Sequence, residues 1–110
     1  MPLSERARIE VYLPDLPSPD SRELLAALQQ EFAYTFGGCT LVGGLSGNYL
    51  SQLGLPVQDR INLLYTDAPF TFDGGFNGLS RYTDALRAMA SEALDEETIL
   101  VVALRVYHSE

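Results

Sequence analysis

Glu10 and Arg105 are the two residues of this chain best placed by type and setting to do chemistry. Each lies in a strand-like segment, Glu10 on the polar side of the alternating run Ala7–Leu13 with Arg8 and Tyr12, and Arg105 at the end of the apolar run from Ile99 to Leu104. If the two segments are neighbouring strands, carboxylate and guanidinium can lie opposite each other, with Tyr107 two positions further along the same side. A carboxylate withdrawn from water either finds a cation or has its pKa raised until it can serve as a base. Glu10, Arg105 and Tyr107 are therefore the candidate catalytic group. The reading given precedence is a structural ion pair that sets the register of an assembly. Tyr12, Arg60, Phe70 and Phe72 are the candidate ligand-binding residues. The two phenylalanines come from a loop, 68–76, whose three aromatic rings must be buried somewhere, as a plug, a lid or an interface.

Other constellations point to structure rather than chemistry. Gly37-Gly38-Cys39-Thr40-Leu41-Val42-Gly43-Gly44-Leu45-Ser46-Gly47-Asn48 is rich enough in glycine to suggest a phosphate cradle. The glycines follow a helix instead of opening one, and no Gly-Lys-Ser/Thr ending is present. A helix cap followed by a bulged edge strand is expected. Asp73-Gly74-Gly75-Phe76-Asn77-Gly78 imitates the start of a calcium loop, yet its third position is Gly and its twelfth is Asp84. A turn with Asn77 capping the next helix is expected there. Cys39 and His108, the single cysteine and the single histidine, are far apart in sequence, and Cys39 is read as a small buried hydrophobe. No metal site is expected.

Composition removes whole classes of function. All seven bases are arginine, so a lysine Schiff base and the lysine of a phosphate loop are both excluded. No cofactor is expected. With 15 acids against 7 bases and a net charge of −8, the surface repels nucleic acid and anionic lipid. No apolar run is long enough to span a bilayer, the first residues do not read as a secretory signal, and a lone cysteine fits a cytoplasmic setting.

The elements that must position these groups follow from hydrophobic period. Ala7–Leu13 alternates as a strand and stops at Pro14. A helix follows, starting either at Asp20 with Glu23 as a capping box or at Ser18 with Pro19 in its first turn. Leu25, Leu28, Phe32 and Phe36 form its apolar stripe, and Gly37-Gly38 ends it. Strands are read at Cys39–Asn48 and Val57–Thr66, a loop over Asp67–Gly78, and a helix over Leu79–Leu94. The acidic turn Asp95-Glu96-Glu97 leads to the final strand, which begins near Thr98.

The order β-α-β-β-α-β folds, with right-handed crossovers, into a ferredoxin-like α+β plait. It has one four-stranded antiparallel sheet in the order 4-1-3-2 with both helices on one face, and residues 1–110 read as a single domain. Ile9, Val11, Ile61, Leu63, Leu100, Val102 and Leu104 are assigned to the helix side. Glu10, Tyr12, Asn62, Leu64, Ile99, Val101, Ala103, Arg105 and Tyr107 are assigned to the open side. The final strand is apolar on both parities, so both of its faces need cover. A homodimer formed through the non-helical sheet face and the C-terminal strand supplies that cover.

The segments Arg8–Leu13, Phe36–Leu41, Leu45–Tyr49 and Tyr65-Thr66-Asp67 resemble a group of small bacterial plait proteins of unknown function. The fold resembles that of the dimeric α+β barrels, whose members include cofactor-free monooxygenases and small isomerases. The expected function is a small cytoplasmic, non-enzymatic homodimer with a small organic ligand between its sheets. A cofactor-independent enzyme of the dimeric-barrel kind, with Glu10 or a tyrosine moving a proton, is the alternative. A protein-interaction module using the Phe70–Phe76 loop is the third.

Overall fold

The structure is a computed structural model that describes residues 2–96 and 99–109. Its elements are β1 (Leu3–Pro14), α1 (Pro19–Phe36), β2 (Thr40–Leu50), β3 (Pro56–Ala68), α2 (Phe76–Leu94) and β4 (Leu100–Ser109). Thr98 and Glu97, part of the expected turn and strand start, lie outside the described residues. The sheet order is β2-β3-β1-β4, every pairing is antiparallel, and the plait is the one expected. β1 and β4 stay paired from Tyr12↔Leu100 to Leu3↔Ser109, which makes both strands longer than their apolar patterns alone suggest.

Local chemistry fixes the element ends. Ser18 caps α1 by accepting a hydrogen bond from the Ser21 amide at 3.3 Å, and Pro19 stands in the first turn, so the second of the two possible starts is used. Gly37, at φ 91°, closes the helix and donates its amide to the Ala33 carbonyl. α2 begins a turn earlier than expected. Its cap is Gly75 with no side-chain bond, and Asn77 lies inside the helix rather than capping it. The register between β2 and β3 shifts between Val42 and Leu45, so Gly43-Gly44 forms the expected irregularity in the edge strand.

One face of the sheet carries the helices, α1 over β3 and α2 over β4. The core joins Ala7, Ile9, Val11 and Leu13 of β1 to Leu28 and Phe32 of α1, Leu79 and Leu86 of α2, Leu64 of β3, and Ile99 just before β4.

The face assignment for β3 and β4 is the reverse of the expected one. Ile9 pairs with Thr66 on one side and Ala103 on the other, and Val11 pairs with Leu64 and Val101. Residues directly opposite share a face, so Leu64, Thr66, Val101 and Ala103 lie beneath the helices. Ile61, Leu63, Leu100, Val102 and Leu104 lie on the open face. The physical reason is register: slipping a strand by one residue exchanges its faces, and segments apolar on both parities give the sequence no preference. The open face is therefore more apolar than expected, with Leu100 53% and Leu104 37% exposed.

Candidate functional site on the open sheet face

The expected pair does not form. Glu10 lies opposite Tyr65 and Val102 on the open face, whereas Arg105 lies opposite Ala7 on the helix-bearing face. Glu10 instead accepts a hydrogen bond from the Tyr12 hydroxyl at 3.0 Å. Burial, then this bond, raises the Tyr12 pKa. Arg105 has its Nε 3.6 Å from Glu5 and its Nη2 3.8 Å from Asp73, and its guanidinium sits 5.2 Å from the centre of the Phe72 ring. Tyr107, opposite Glu5, is about half exposed.

The remaining candidates divide in the same way. Tyr12 is on the open face. Arg60 is exposed on the parity of Leu64, and its carbonyl accepts the Asp15 amide at 2.8 Å. Phe70 packs against Phe36 and Tyr82, with ring centres 6.2 and 6.1 Å apart. Phe72 donates its amide to Glu5 at 3.0 Å. Both rings are half-buried and packed on the core, so this loop plugs the end of the helix layer.

A different group assembles on the open face. Asp67, at the end of β3, accepts two hydrogen bonds from Arg8 of β1: Nε to Oδ1 at 2.7 Å and Nη2 to Oδ2 at 3.0 Å. His108 of β4 reaches across β1 to place Nε2 2.6 Å from the same Oδ2. The Arg8 guanidinium lies 4.4 Å from the centre of the Tyr65 ring, a cation–π contact. This two-pronged arginine–carboxylate geometry is the strong form of the interaction. Hydrogen bonding from Arg8, aided by His108 and opposed by burial, holds the Asp67 carboxyl below its usual pKa. The same bond raises the pKa of Arg8.

Asp67 also lines a cleft of about 270 Å³ with Tyr65, Thr66, Thr40, Cys39 and the Gly37-Gly38 turn. Thr66 ties its wall together by donating to the Gly38 carbonyl at 2.7 Å. Two segments named above for their resemblance, Phe36–Leu41 and Tyr65-Thr66-Asp67, thus meet at one place. Cys39 is half-buried there, its Sγ 3.8 Å from the Gln29 carbonyl. Sequence reasoning missed the trio because its members stand at positions 8, 67 and 108. The one available signal was that a single histidine and an acid in a resembling segment both lie at strand ends. Among the described residues no group of acids, histidines or cysteines has the arrangement of a metal site.

No family model and no curated sequence matches the chain. Solved structures do match. CutA1 from Oryza sativa superposes with a TM-score of 0.62 at 16% identity, covering 98% of this chain and 85% of its own. The divalent cation tolerance protein (Cut A1) from Thermus thermophilus gives 0.54 at 22% identity, covering 96% and 87%. At these identities the likeness is one of fold.

Proposed function

We propose that residues 1–110 form a single-domain, non-catalytic binding protein that works as a homodimer, with a small organic ligand held where the open sheet faces meet. The observation that carries this reading is the column Leu100, Val102, Leu104 and Val106 along β4, which none of the described elements covers. β4 is also a sheet edge with one side of its backbone unpaired. Charge supports a second copy as the cover. The net charge of −8 opposes self-contact, yet across β1, β3 and β4 this face carries Arg6 and Arg8 against Glu10, Asp59 and Asp67, a set only one charge from balance. Arg8 and Asp67 are joined to each other and Glu10 is joined to Tyr12, which limits the cost of taking them out of water. A cytoplasmic setting fits the lone cysteine. Among the described residues no helix is long and apolar enough to cross a membrane.

A second reading has one specific support. The imidazole of His108 is held by a carboxylate at 2.6 Å, the arrangement that orients a histidine for proton transfer. A cofactor-independent enzyme would use that group rather than Glu10. The interaction-module reading loses two of its three aromatic residues, Phe70 and Phe72, to packing.

Sedimentation velocity at micromolar concentration tests the assembly. The native chain is expected at about twice 12.1 kDa. Val102→Asp should give a folded monomer, since an uncompensated charge in a dry contact costs several kcal/mol. Val101→Asp, directed at the core, should instead damage the fold. A native monomer over that range overturns the reading.

A further inference from the structure

The trio on the open face has capacity left over. Arg8 uses Nε and Nη2 on Asp67, and its Nη1 makes no hydrogen bond among the described residues. His108 uses Nε2 on the same carboxylate oxygen and stays 40% exposed. The guanidinium is held from three sides: by two bonds from Asp67, by the Tyr65 ring, and by β1 itself. A donor fixed in this way loses little freedom when it takes an anion, which is what preorganised binding requires.

Two nitrogen groups sharing one oxygen of one carboxylate leave room for a second carboxylate, and the planar fork of arginine matches that shape. Apolar surface begins beside them. Leu104 lies directly opposite Arg8, and Val106 lies between Leu104 and His108 on the same face of β4.

We infer that this corner binds a small carboxylic acid bearing an aromatic ring. The carboxylate sits on Arg8 Nη1 with His108 beside it, and the ring lies on Leu104 and Val106. The inference rests on the proposed ligand-binding dimer and names the ligand class and its anchor.

The protein has one histidine, so the ring C–H signals of His108 in a proton NMR spectrum report on this corner alone. Benzoate is the probe, with acetate and inorganic phosphate as comparators. Benzoate should move the His108 signals saturably with a Kd of about 1 mM or tighter. Acetate should bind at least about tenfold more weakly, since it lacks the ring. Arg8→Lys keeps a cation on Asp67 but loses the spare edge of the fork, so it should stay folded and bind benzoate at least about tenfold more weakly. No saturable shift at tens of millimolar benzoate overturns the inference. So does phosphate binding as well as benzoate, or Arg8→Lys binding like the native chain. Sedimentation of the same samples separates the two proposals. A dimer that ignores benzoate overturns the carboxylate site alone. A monomer that still binds it upholds the site and overturns its place between two sheets.

Discussion

The Thr66 hydroxyl lies 2.7 Å from the Gly38 carbonyl and joins the buried end of β3 to the turn that follows α1. Thr66 is 3% exposed, the one polar residue among the buried ones described. Valine has nearly the same shape but no donor. Thr66→Val should destabilise the fold by about 0.5–1.5 kcal/mol, because the bond from the buried hydroxyl to the Gly38 carbonyl is lost. Urea unfolding of the two proteins measures the difference, and an unchanged midpoint would mean that water serves the carbonyl equally well.

A double-mutant cycle on Glu10 and Arg105 should show additivity within about 0.5 kcal/mol, because their side chains leave opposite faces of the sheet. The same cycle on Glu5 and Arg105, 3.6 Å apart and partly exposed, should give a few tenths to about 1 kcal/mol. Coupling in the first cycle and none in the second would reverse the register of β4 on β1.

Asp67 makes stability depend on acid. Its carboxyl titrates below its unfolded value, so its contribution is fully present above that value, near pH 4, and is lost as the pH falls through the lower folded one. Asp67→Asn should cost about 1–2 kcal/mol at neutral pH, toward the low side because Arg8 and His108 keep contact with water. The gap between the two proteins should narrow as the pH falls from about 5 to 2. Thermal melts across that range read it directly, and parallel curves would show that the carboxylate is not bound as described.

Gly75→Ala should destabilise by about 1–3 kcal/mol through crowding. A methyl there would stand 2.9 Å from the Thr71 carbonyl oxygen and 3.0 Å from its amide nitrogen, backbone atoms that cannot swing away. The loop holding Phe70 and Phe72 should then loosen. Faster amide exchange at Phe72 would show it, since that amide is bonded to Glu5.

The architecture was legible because hydrophobic period, proline and glycine all agree on it. Ser18-Pro19 opens α1, Gly37 closes it, and Gly43-Gly44 marks the bulge. What was not legible is the side each residue of β3 and β4 takes. Ile61, Leu63, Leu64, Val101 and Val102 are apolar on both parities, and the choice is made by pairing with β1, where Ile9 faces Thr66 and Ala103. The error carried straight into the site. Arg105 left the open face, and His108 arrived on it beside Arg8 and Asp67. A cluster assembled by register from three separate strands has no spacing to recognise in one chain.

The pairing of Leu3 with Ser109 sets the start of β1 beside the end of β4 at one corner of the sheet, the corner that also carries His108. A sequence fused directly before β1 or directly after β4 would therefore shade the same patch, and moving it from one strand to the other would not relieve it. The opposite pole offers a better opening. The β2–β3 turn closes on itself through Ser51, Gly54 and Leu55, with Leu53 86% exposed at its tip. A chain cut there and joined by a short linker from the end of β4 to the start of β1 keeps all three strand pairings. Such a circular permutant would begin and end far from Arg8, leaving the acid-binding corner clear of any appended sequence.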